Sequence, residues 1–62
     1  MIKSDNMPVE PGDWVRHPQQ PGWGFGQVQS VVGALVTVNF EHAGKISVNT
    51  NVVTLELVDS PS

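Results

Sequence analysis

The stretch from Gly24 to Phe40, G-F-G-Q-V-Q-S-V-V-G-A-L-V-T-V-N-F, limits the folds open to this chain more than any other. Gly33-Ala34 fits a two-residue type II′ turn, which wants glycine at its first central position. That turn sets Val32 opposite Leu35 and Val31 opposite Val36. In the returning strand Val36, Val38 and Phe40 then share one face, and Leu35, Thr37 and Asn39 share the other, because side chains alternate along a strand. Extending the register without interruption turns Val28 away from that apolar face. One extra residue near Gln29-Ser30 restores it, bringing Val28 opposite Val38 and Gly26 opposite Phe40. The sequence therefore predicts a long hairpin with a β-bulge at Gln29-Ser30, bent and twisted there. The Phe40 ring covers the bare backbone of Gly26.

The rest of the chain has little else to build with. At 62 residues it forms one domain at most, and a domain this small buries only ~60% of the surface its unfolded chain exposes. With no cysteine, neither a disulfide framework nor a Cys-based zinc site is available. Apolar packing and backbone pairing must supply the stability. Three basic residues stand against six acidic ones, a formal net charge of −3. Strong non-specific nucleic-acid binding rests on clustered Lys and Arg, and this balance disfavours it. No apolar run approaches the ~18 residues of a membrane span. The N-terminus shows no signal-peptide core, so a cytoplasmic location without membrane attachment is expected.

In chain order, residues 1–8 read as a flexible N-terminus, although Met7-Pro8-Val9 can lay apolar groups against the fold. Pro11-Gly12 supplies a type II turn, with glycine taking the positive φ. Asp13 is placed to accept backbone N–H groups in that turn. Asp13 to His17 alternates as a strand with Val15 inward and Trp14 and Arg16 outward, and Pro18 ends it. Gln19 to Trp23 is a loop that Pro18 and Pro21 stiffen towards polyproline II geometry. Gly22, Gly24 and Gly26 resemble a phosphate-binding loop only superficially, since such a loop leads into a helix and a β-branched strand follows here. Gly44 takes a left-handed conformation before a strand from Lys45 to Asn49, with Ile46 and Val48 inward. Thr50 to Val53 fits a single 3₁₀ turn capped by Asn49 or Thr50. Thr54 to Val58 is the closing strand, with Leu55 and Leu57 on one face. Residues 59–62 read as a disordered tail.

Five short strands, one bent hairpin and a 3₁₀ turn before the last strand predict an all-β, SH3-like (Tudor-like) barrel over residues 9–58. Its core is Val15, Val28, Val31, Val36, Val38, Phe40, Ile46, Val48, Leu55 and Leu57, with Val52 or Val53. The competing OB-fold usually needs a longer chain and a helix between strands.

Three motifs, G-D-x-V-x-H at Gly12 to His17, G-x-G-x-V at Gly24 to Val28 and V-x-V-x-F at Val36 to Phe40, carry a resemblance. The chain resembles the Tudor-like domain at the C-terminus of UvrD/PcrA-type helicases. More loosely, it is similar to the RNA-polymerase-interacting domains of CarD and of the transcription-repair coupling factor. It is most similar to a family of small stand-alone bacterial proteins without an assigned function. The similarity spans residues 11 to 58. It implies a barrel that docks on RNA polymerase, in some relatives by pairing an exposed strand with an edge of the β subunit, a mode whose affinity comes from main-chain bonds. The chain is expected to depart from these relatives in lacking an attached helicase or DNA-binding domain. It is less basic, and it carries Trp14, Trp23 and Phe25.

Those three aromatic residues admit two readings: they complete a small core, or they form an exposed patch that anchors a protein partner. With Arg16 beside them, Trp14, Trp23 and Phe25 are the candidate partner-binding residues. An aromatic cage for a methylated cation needs more converging rings than are present. Base stacking on the same rings is opposed by the net charge. His17 and His42 lack metal-ligand spacing and read as surface histidines. No spacing supports a nucleophilic triad or a carboxylate pair. The expectation is a non-enzymatic, monomeric protein-binding module without cofactor or metal. RNA or ribosome binding by a KOW-like barrel, and a structural oligomer formed through edge strands, are the alternatives.

Overall fold

The computed structural model describes residues 9–59, so the expectations for residues 1–8 and 60–62 lie outside the described residues. The five strands are β1 (Trp14–Arg16), β2 (Phe25–Val32), β3 (Leu35–Phe40), β4 (Gly44–Asn49) and β5 (Glu56–Val58), with one 3₁₀ turn at Pro21–Trp23. They form one antiparallel sheet in the order β4-β3-β2-β1-β5. Among the described residues no ladder joins β4 to β5, so by hydrogen bonding the sheet is open.

The β2–β3 hairpin has the register its sequence dictates. Val32 faces Leu35, Val31 faces Val36, Val28 faces Val38 and Gly26 faces Phe40, with a shift between Val28 and Ser30 that leaves Gln29 as the extra residue. Gly33 has φ of 58°, and among the described residues no non-glycine, Ala34 included, has positive φ, which fixes the turn as II′ rather than I′. At Gly26 a Cβ would lie 2.7 Å from Phe40 Cδ1, inside van der Waals contact, so only glycine fits beneath that ring. The Pro11-Gly12 turn also forms: Asp13 N–H donates to the Glu10 carbonyl, and Asp13 Oδ2 accepts Glu10 N–H at 2.9 Å.

Val15, Val28, Val36, Val38, Phe40, Val48 and Leu55 make the core, and Val9, Trp23, Ala43, Ile46 and Val53 pack against it. Three sequence expectations need correction. Val31 is 36% exposed and Leu57 45% exposed. Val31 does share a face with Val36, but it lies near the hairpin tip. The three-residue β1 pairs β2 only at Phe25 to Gln27, leaving no strand to shelter it. Leu57 sits opposite Val15 on an edge strand that has a neighbour on one side only. Of the pair left open, Val53 packs on the core and Val52 is exposed.

The second correction concerns the 3₁₀ turn. It forms at Pro21–Trp23, not at Thr50–Val53, and it replaces the expected polyproline geometry. Pro21 at its first position supplies a helical φ and lacks the N–H that would be unsatisfied there, while Trp23 N–H reaches the Gln20 carbonyl. At Thr50–Val53 the chain makes a hydrogen-bonded turn, with Val52 and Val53 N–H both on the Asn49 carbonyl and Asn51 N–H on Asn49 Oδ1. Asn49 thus caps the turn as its residue type suggests. The closing strand is correspondingly shorter than Thr54 to Val58.

The third correction is His17, which is buried. Its Nδ1 accepts the Gln19 N–H at 3.2 Å, and its ring meets Trp23 edge-on at 4.9 Å. The turn that follows β1, with Gln20 N–H on the His17 carbonyl, folds the ring inward.

Candidate interaction surface

Alternation about Val15 places Trp14 and Arg16 on the outer side of the sheet. Register then assembles their neighbours: Trp14 lies between Gln27 and Val58, and Arg16 between Phe25 and Glu56. Asn39, opposite Gln27, and Lys45, opposite Asn39, extend the same face across β3 and β4. Phe25 is 37% exposed, a large apolar group left open in a small domain.

A recess of about 210 Å³ beside Phe25 is lined by Arg16, Pro21, Gly24, Phe25 and Glu41. Small-molecule sites usually need ~300 Å³ or more, so the recess is small for one. Its polar walls are hydrogen-bonded. Glu41 Oε1 accepts the Phe25 N–H at 3.2 Å, and Glu41 N–H donates to the Phe25 carbonyl. A Cβ on Gly24, whose φ is 78°, would meet Glu41 Oε1 and His42 Cδ2 at 2.8 Å. Arg16 Nε donates to Glu56 Oε1 at 2.6 Å. Both side chains are about half exposed, and such pairs contribute ~0–1 kcal/mol. The bond therefore orients the guanidinium more than it stabilises the fold.

Trp23 stands apart from this face. Its ring packs on Phe40 at 5.2 Å and on His17, closing one end of the core. The structure thus brings Trp14, Arg16 and Phe25 together on one face and sets Trp23 beneath the loop that leads into Phe25. Trp23→Ala is expected to destabilise the domain by about 2 kcal/mol, less than a fully buried aromatic truncation; urea unfolding checks it.

Gln27, Glu41 and Glu56 complete the surface, and sequence reasoning did not single them out. Alternation carried the signal for Gln27 and Glu56. Using it for Glu56 required the β1–β5 register, which nothing local to either strand encodes. Arg16 and Lys45 share the outer face but sit three strand spacings apart, ~14 Å, and Arg16 is paired with Glu56. They make no contiguous positive patch. Among the described residues no group of three or more His, Cys, Asp or Glu is placed to hold a metal ion, and no helix is long and apolar enough to cross a membrane.

Fold and surface define a small all-β domain of five antiparallel strands with a mixed aromatic and charged outer face. The chain belongs to the DUF3553 family, described as protein of unknown function, whose model matches residues 9–58. No match was found among curated proteins or among solved structures.

Proposed function

We propose that the chain is a non-enzymatic protein-binding module of the cytoplasm, an SH3-like barrel of Tudor type that docks on RNA polymerase or associated repair and transcription machinery. The observation that carries the reading is the outer face of β1 and β2. There Phe25 stands open beside a recess walled by Arg16 and Glu41, with Trp14 on the same face. Binding energy at protein interfaces concentrates in aromatic and Arg anchors that fill pockets. Trp23 holds the loop that presents Phe25.

The barrel assignment is supported by the strand order and by the long β2, bent at Gln29, which pairs β1 at one end and β3 along its length. Gly12, Gly26, Val36, Val38 and Phe40, which carry the resemblance to UvrD/PcrA-type and CarD-type domains, occupy turn and core positions. They bear on the fold, and the choice of target rests on the resemblance itself. Nucleic-acid binding of the KOW type would draw on a joined positive patch, which Arg16 and Lys45 do not form.

The test immobilises the protein and measures retention of purified bacterial RNA polymerase by wild type and Phe25→Ala. Wild type should retain the enzyme and Phe25→Ala should bind it at least ~10-fold more weakly, the equivalent of ~1.4 kcal/mol. No retention by wild type removes RNA polymerase as the target. Equal retention by both removes this face as the site.

A further inference from the structure

The two edges of the sheet differ in what their backbones offer. Opposed residues in an antiparallel ladder alternate between hydrogen-bonded and non-bonded pairs. Thr50 N–H donates to the Ala34 carbonyl, so the unbroken β3–β4 register makes Val36–Val48 and Val38–Ile46 bonded pairs. Thr37–Ser47 and Asn39–Lys45 are the non-bonded ones, and the 3.4 Å approach of Thr37 Oγ1 to Ser47 Oγ fits such a close pair. Lys45, Ser47 and Asn49 therefore turn their N–H and C=O groups away from β3. The Asn49 carbonyl is already taken by Val52 and Val53. Among the described residues this leaves Lys45 and Ser47, each with a donor and an acceptor facing outward, and the Asn49 N–H. By the same parity β5 turns only Leu57 outward within its strand.

We propose that two copies of the chain associate through this edge, β4 against β4, antiparallel about a two-fold axis at Ile46. In this register Lys45 of each copy faces Ser47 of the other, and the four outward groups of Lys45 and Ser47 are all satisfied. Centring the axis on Ser47 instead would direct Lys45 N–H at the Asn49 carbonyl, which is occupied. Ile46, half-buried against the core, meets its own copy on the inner side and extends the apolar layer across the axis. On the outer side each Lys45 lies beside a serine, so like charges are not opposed. The contact uses neither Phe25 nor the recess, so it stands or falls independently of the docking face.

The chain has no native cysteine, so single-cysteine variants report the register directly. Residues in a non-bonded antiparallel pair have Cα atoms ~4.5 Å apart, within disulfide range. Under mild oxidation Ile46→Cys should cross-link to a covalent dimer. Ser47→Cys, ~8 Å from its own copy in this register, should not. Sedimentation of the wild type should show a concentration-dependent rise from 6.7 kDa towards twice that mass. Ser47→Pro removes an N–H that faces away from β3 and should lose the dimer while keeping the circular dichroism of the fold. A wild type that stays monomeric up to ~1 mM, where any association above ~4 kcal/mol would register, overturns the proposal. So does equal cross-linking of both cysteine variants.

Discussion

Phe40→Ala should cost this domain about 3–5 kcal/mol, the range for truncating a buried aromatic residue. That is comparable to the whole stability a core of this size supplies. The expected result is a chain largely unfolded at 25 °C, read as loss of the cooperative thermal transition and of tryptophan signal dispersion. The size of the effect follows from what Phe40 touches. It is 2% exposed, ends the row of Val36 and Val38, covers Gly26, and forms the platform on which Trp23 packs. Removing it opens a cavity and also frees the ring that closes that end of the core.

Gly26→Ala is expected to be nearly as damaging, at about 2–3 kcal/mol, although it adds a single methyl group. The added carbon would run into Val38 and into the Phe40 ring at 2.7 Å, and both neighbours are fully packed. Neither is the free end of a flexible side chain, so strain must spread into the β2–β3 ladder. Denaturant melts check the loss. Because the clash involves Phe40, Gly26→Ala combined with Phe40→Leu should depart from additivity by more than ~0.5 kcal/mol, the mark of residues in contact.

This pair also shows why so much of the fold is legible in the sequence. The II′ turn fixes the register at one end of the hairpin, and a valine pattern that falls out of phase at Gln29-Ser30 requires a bulge. Only one repair brings Val28 back over Val38 and places glycine beneath Phe40. Each step is local, and together they over-determine the answer. The misses have the opposite character. Pairing of β1 with β5 joins residues 40 positions apart through the Arg16–Glu56 contact, and no periodicity reports it. Leu57 alternates correctly with Leu55 yet stays exposed, because burial at an edge strand depends on what lies beyond the edge. His17 and Trp23 close the core together, an arrangement set by the turns at His17–Gln20 and Pro21–Trp23 and invisible to strand alternation. Likewise the outer face was readable for Trp14, Arg16 and Phe25. Glu41 joined it only through the hydrogen bonds that pin it to Phe25.

The aromatic residues divide by face: Trp23 and Phe40 hold the fold, while Trp14 and Phe25 lie on the proposed docking face. The chain has two tryptophans, one on each side of this division. Their indole N–H resonances can therefore be followed separately while RNA polymerase, or whatever protein the wild type retains, is titrated in. The Trp14 signal should shift or broaden at substoichiometric partner and the Trp23 signal should hold its position. A shift confined to Trp23, with Trp14 unmoved, would contradict the assignment of the outer β1–β2 face as the docking surface.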